Sequence, residues 1–207
     1  MEDVLEVYHR EYKEDEVLIC MDETSKQQVK ETKTPLPQKT NSVKKYDYEY
    51  ERNGVSNLFM LSAPLEGWRH VEVTDRHTKI DWAYLMKDLV DKHYPDKKII
   101  LVMDNLNTHK LGSLYSAFKP AEARRIAERL EIHYTPKHGS WLDMAEIEIG
   151  VLSRQCLNRR IPDQETLRSE IDKWEKKRNK ETICVNWRFT TEDARIKLKS
   201  LYPSNLC

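Results

Sequence analysis

Glycine is scarce in this chain, five among 207 residues, and no G-x-G-x-x-G or P-loop spacing occurs. Nucleotide cofactors are therefore unsupported. Cysteine is also sparse, and Cys20, Cys156, Cys184 and Cys207 form no C-x-x-C pair, which removes the usual cysteine-ligated metal sites. Cys20 and Cys156 sit in apolar runs, where a core thiol is the expected role and a reducing compartment fits. No apolar stretch approaches the length of a membrane span, and the acidic N-terminus has no signal-peptide pattern, so a cytoplasmic protein with no membrane partner is expected. Ser140 lies near His138, but no G-x-S-x-G elbow surrounds it, so nucleophilic catalysis has no context. Internal repeats are absent.

Net charge is also lacking, with 35 basic against 35 acidic residues. Its distribution says more. The first two dozen residues are acid-rich, residues 25–45 carry six lysines against Glu31 alone, and the chain beyond residue 150 is again basic. Basic segments flanking acidic ones suit phosphate binding beside metal. Although 34% of residues are charged, the apolar ones cluster into strand and helix patterns, which argues against disorder. The length predicts one domain, with a core at about 16–157 and a helical C-terminal part at about 158–207.

Two apolar runs end in acids. Glu16-Val-Leu-Ile-Cys-Met-Asp22-Glu23 and Lys98-Ile-Ile-Leu-Val-Met-Asp104 each carry five apolar residues into a carboxylate, the pattern of buried strands. Between them, Thr24 to Lys45 reads as a loop or lid. Tyr46, Tyr48 and Tyr50 alternate with acids as one half-buried strand face, Asn53-Gly54 supplies a hairpin turn, and Val55 to Ser62 returns. Trp68 to Val73 is a third antiparallel candidate. Lys79 to His93 has a helical period stopped by Pro95, so the Asp22 strand and the Asp104 strand are expected to be parallel. Pro120 to Leu130 reads as a helix, Ile132 to Thr135 as a short strand, and Trp141 to about Leu157 as an apolar helix capped by Ser140. Helices from Pro162 to about Lys180 and from Thr190 follow, with Trp187-Arg-Phe189 anchoring the tail. The sum is an α/β fold, a mixed sheet flanked by helices.

Burying an unpaired carboxylate is costly, so acids at core strand ends need partners or a shared cation. Asp22 and Asp104 on neighbouring strand ends, with Glu146 on the apolar helix, offer the hard oxygen donors that two Mg²⁺ (or Mn²⁺) ions need for in-line displacement at phosphorus. Asp143 shares a helix face with Glu146 and is a possible helper, whereas Glu148 lies about 200° round and reads as a solvent or salt-bridge residue. His109 could orient a phosphate or metal-bound water. Lys137 and His138 precede the helix beside Gly139 and Ser140, whose backbone N–H groups could meet an anion.

The motifs Met21-Asp-Glu23, Lys45-Tyr-Asp-Tyr-Glu-Tyr-Glu-Arg-Asn-Gly54, Gly67-Trp-Arg-His70, Asp104-Asn-Leu-Asn-Thr-His109, Tyr134 through Glu148, Leu152-Ser-Arg-Gln-Cys156 and Trp187 through Arg195 closely resemble bacterial insertion-sequence transposases of the mariner superfamily, specifically the six-thirty family. The resemblance implies an RNase H-like fold and an Asp-Asp-Glu catalytic triad of Asp22, Asp104 and Glu146. It also implies metal-dependent cutting at transposon ends, 3′-hydroxyl attack on target DNA, and a homodimer in the active complex. Asp143 departs from the family's usual asparagine, and the N-terminal helix-turn-helix reader is expected to be absent. DNA contact is then expected through basic residues such as Lys44 and Lys45. A nuclease of the same fold without strand transfer, and a non-catalytic DNA-binding remnant, are the competing readings.

Overall fold

The first strand explains the architecture, because its apolar residues alternate between two faces that are both covered. In the computed structural model, which describes residues 1–34, 37–40, 43, 48–137 and 139–202, β1 runs Glu16–Glu31. Val17, Ile19 and Met21 pack with Trp82, Met86, Leu114 and Ile126 on one face. Leu18 and Cys20 pack with Leu5, Leu142, Ala145, Leu152 and Leu167 on the other. Each such fully buried aliphatic side chain contributes roughly 1.5–3 kcal/mol.

Around β1 are β2 (Tyr50–Ala63), β3 (Trp68–Thr74), β4 (Lys98–Met103) and β5 (Leu130–Tyr134), in the order β3-β2-β1-β4-β5. The β1–β2 and β2–β3 pairs are antiparallel, and β1–β4 and β4–β5 are parallel. The sheet is therefore mixed, as expected. β4 reads as a continuous apolar run because both of its faces are buried. Helices α2 (Lys79–Asp88), α3 (Leu111–Ala117) and α4 (Pro120–Ala127) cover one face. The other face is covered by α1 (Glu2–His9), α5 (Met144–Leu152), α6 (Gln164–Lys180) and α7 (Thr191–Lys197). Both α2 and α5 end in a π-helical turn, Leu89–His93 and Ser153–Leu157.

Several expectations are corrected. Thr24 to Glu31 is not a loop but the outer half of β1, paired with β2 from Leu58 back to Tyr50. Its residues show no apolar period because this ribbon lies beyond the core and carries mostly polar, half-buried side chains, with Gln28 buried against Ser56. Asn53-Gly54 is not a hairpin turn. It lies inside β2, where Gly54 takes φ +94° and the register against β1 shifts between Gln27 and Val29, so the Asn-Gly pair makes a bulge. Tyr48 and Tyr50 are exposed, 85% and 49%, rather than half-buried, while Tyr46, Lys44 and Lys45 lie outside the described residues. The Pro120 helix stops at Ala127, leaving Leu130 to begin β5. Trp187 does anchor the tail, 5.3 Å from the Tyr8 ring and 6.5 Å from that of Trp141. Cys20 and Cys156 are buried thiols. No helix among the described residues is long and apolar enough to cross a membrane.

Candidate active site

Parallel pairing brings the first two acids together. Met21 is the partner of Met103, so Asp22, which lies within β1 rather than at its expected end, and Asp104, directly after β4, stand at the same level, about 4.8 Å apart along the hydrogen-bonding direction. Asp22 shares the Leu18–Cys20 side of β1, which faces α5. Its Oδ1 accepts a hydrogen bond from the Glu23 backbone N–H at 2.8 Å.

The third acid arrives on α5. Asp143, not Ser140, caps this helix, its Oδ1 accepting from Ala145 N–H at 2.9 Å, while Ser140–Leu142 forms a 3₁₀ turn before it. Aspartate is the stronger cap here because its side chain sits directly before the first helical residue. Glu146 follows in the first turn, where the positive end of the helix dipole favours an acid. The turn that precedes the cap is tight. A Cβ on Gly139 would meet Pro136 Cγ at 2.6 Å.

The fields of these carboxylates overlap. Burial, reinforced by the charges of Glu23, Asp104 and Glu146, pushes Asp22 up to about 6. Burial, with Asp22, Asp104 and Glu146 adding to it, holds Asp143 well above the usual carboxylate range. Asp143 is 2% exposed, and its Oδ2 has no hydrogen-bond partner among the described residues. Mutually repelling oxygen donors, one of them orphaned in the interior, fit a hard divalent cation.

Glu23 completes a part of the site that the sequence reading passed over. Its side chain points to the opposite face of β1, where His109 is 1% exposed. His109 Nδ1 lies 2.6 Å from Asp104 Oδ1, and its Nε2 lies 3.1 Å from Glu23 Oε2, an ion-pair contact without hydrogen-bond alignment. Burial opposes charge on this ring, yet Asp104 and Glu23 outweigh it and raise His109 to about 9. Donor atoms of Glu23, Asp104 and His109 lie within 4.8 Å of one another, the compact group of possible metal donors among the described residues. The signal for it was the second acid of the Asp22-Glu23 pair, which β alternation must send to the other face.

The remaining expected residues fall apart from this group. Lys137 is exposed, and His138 lies outside the described residues, as do Lys44 and Lys45. Gly139 N–H donates to Pro136 O at 2.8 Å and so is not free for an anion. Glu148 is a salt-bridge residue but not a solvated one: it is 2% exposed, 2.9 Å from Arg69 Nη2 and 3.1 Å from Arg178 Nη2.

Comparison with known proteins bears on the same elements. Residues 17–168 match the family model of the DDE superfamily endonucleases. Among solved structures, the chain is similar to the Mos1 transposase paired-end complex with left transposon end, with TM-score 0.55 and 11% identity over 80% of this chain and 51% of that one. The Mos1 strand transfer complex gives TM-score 0.55 and 12% identity over 80% and 49%. The Mos1 mariner paired-end complex with Mn gives TM-score 0.54 and 11% identity over 80% and 51%. These likenesses show an RNase H-like fold, the expected one. The chain spans about half the length of the Mos1 chains it matches. No curated protein matches it.

Proposed function

From the premise that this chain belongs to the DDE superfamily endonucleases, we propose that it carries the catalytic part of a DNA transposase of a bacterial insertion sequence, in the six-thirty branch of the mariner superfamily. It cleaves DNA at the element's ends and joins the freed 3′-hydroxyl to target DNA, acting as a homodimer in the bacterial cytoplasm. Asp22, Asp104 and Glu146 are the catalytic acids and would hold Mg²⁺ or Mn²⁺, as a pair of ions, with Asp143 as an accessory acid.

The observation that supports this reading is the parallel pairing of β1 and β4, which sets Asp22 and Asp104 at one level, together with the charges of Asp104 and Glu146, which add to burial in raising Asp22, and an Asp143 Oδ2 without a partner among the described residues. When bound, divalent cations activate the attacking oxygen and stabilise the leaving oxygen at phosphorus. The chain's own groups do the positioning. His109, raised to about 9 by Asp104 and Glu23, holds Asp104 by Oδ1, while the Asp143 cap fixes the start of the helix that presents Glu146. The wholly covered strands beneath hold both aspartates in place.

Titration calorimetry with Mn²⁺ tests the site. Binding by the wild type and its loss in Asp104→Ala are expected. Incubation with DNA carrying a free 3′-hydroxyl and Mg²⁺ then separates transposition chemistry from simple cutting. Strand-joined product supports transposase activity, cleavage without joining supports a nuclease, and a folded protein that neither binds Mn²⁺ nor cuts DNA overturns the catalytic reading.

A further inference from the structure

We propose that the groove between the outer half of β1 and the π-helical turn after α5 binds the phosphodiester backbone of the DNA strand leading to the acids, with Arg154 and Lys26 as its phosphate contacts. The inference rests on the catalytic reading of Asp22, Asp104 and Glu146. The groove has a volume of about 370 Å³ and is lined by Thr24, Ser25, Lys26, Ser153, Arg154, Leu157 and Asn158. Its walls carry hydroxyls, an amide and two cations beside the apolar Leu157, and no acid among the described residues lines it. A larger cavity of about 500 Å³ under α6 is different, because Glu170 there neutralises Arg159 and Lys173.

Position ties the groove to the site. Alternation along β1 puts Thr24 and Lys26 on the side of Asp22, with Lys26 about 13 Å farther along the strand. On the helix, Ser153 is seven residues from Glu146 and falls about 20° from it round the axis. The floor of the groove thus continues the line of the acids on both of its walls.

The two cations are held differently. Lys26 Nζ donates to the Leu157 carbonyl at 2.6 Å and the Arg159 carbonyl at 3.2 Å, so its charge is fixed at the C-terminal edge of the π turn, where phosphate must compete only with neutral acceptors. Arg154 is exposed and has no carboxylate within salt-bridge distance among the described residues. Its Nη1 lies 3.4 Å from where a Cβ on Gly150 would be, so the guanidinium folds back along the helix over a position with no side chain, toward Glu146. An unneutralised guanidinium leaning toward a phosphate-processing centre suits a bidentate phosphate contact.

The test uses the full chain and a fluorescein-labelled duplex of unrelated sequence, with affinity followed from 0.05 to 0.2 M salt. Each phosphate contact adds about 0.9 to the slope of log K against log salt, so removing one lessens the salt-driven loss over that range by about 3.5-fold. Arg154→Gln and Lys26→Gln should each lower the slope by that amount. Arg154→Lys should restore it, and Arg124→Gln, on α4 and paired with Glu128, should leave it unchanged. Because Arg154 is exposed and ties no element down, its variant should fold as wild type does. Wild-type slopes in both glutamine variants overturn the proposal, while Mn²⁺ binding and cleavage, measured beside them, report separately on the acids. Failure of the wild type to bind duplex at any salt also overturns it.

Discussion

Replacing Asp22 with asparagine should make the metal-free protein more stable while removing its activity. The substitution keeps an Oδ1 acceptor for the Glu23 N–H but removes the charge. Asp22 rises from an ordinary 3.8 to about 6, chiefly through burial and then through Glu23, Asp104 and Glu146. At 1.36 kcal/mol per pH unit this penalty on the charged form has a ceiling of about 3 kcal/mol, and screening of the half-buried carboxyl reduces it to roughly 2. The sign follows from proton binding. Between pH 3.8 and 6 the folded state holds a proton that the unfolded state has released, so the wild type carries the full penalty above pH 6 and loses it as pH falls toward 3.8. Urea denaturation in a chelator should therefore show Asp22→Asn more stable by about 2 kcal/mol at pH 8, or roughly 4–8 °C in Tm, with the gap closing by pH 4. Saturating Mn²⁺ should reverse the order, since the wild type alone gains from binding. Equal stability of the two proteins at pH 8 in chelator would refute the claim that burial and the neighbouring acids penalise the Asp22 carboxylate.

His70 gives a pH dependence of the same sign, with stability lost as pH rises, but in a higher window. Burial disfavours its charge, but Glu175 and Glu72 raise it to about 9, so up to about 3 kcal/mol of stability is present below pH 6.5 and is lost as pH rises through 9. His70→Gln should flatten that part of the urea-stability profile. Glu148→Ala leaves the guanidinium groups of Arg69 and Arg178 without their buried partner and should cost about 3–5 kcal/mol by urea denaturation. Gly139→Ala forces a Cβ against Pro136 and should cost about 1–3 kcal/mol, with weaker Mn²⁺ binding by calorimetry because the displaced turn leads into Asp143.

The inner half of β1, β4 and the acids that follow their apolar runs were legible because these stretches are covered on both faces and so are written as unbroken apolar runs. Glu146 was legible for a related reason, as an acid within an apolar helix. What lay outside the core was not. The outer half of β1 is held by backbone pairing to β2, and its half-buried side chains are mostly polar, so no apolar period marks it. Asn53-Gly54 offers positive φ equally well to a turn or to a bulge, and only the length of the partner strand decides. By helical angle Glu148 read as a solvent or salt-bridge residue, and its burial was not legible because the guanidinium groups that pair with it come from β3 and α6, far away in sequence. The tie of Asp104 to His109 and Glu23 likewise depends on how the loop after β4 folds back.

Strand alternation also sets how this gene can change length. Asp22 and Glu23 are adjacent in sequence yet serve opposite faces of β1, one beside α5 and the other beside His109. Inserting or deleting one codon between Glu16 and Met21 would exchange the two acids and, in the same stroke, turn Leu18 and Cys20 out of one core and Val17, Ile19 and Met21 out of the other. A two-codon change would keep the faces but move Asp22 about 7 Å from the level of Asp104. Length variants in this segment should therefore be lost even when every residue type is kept.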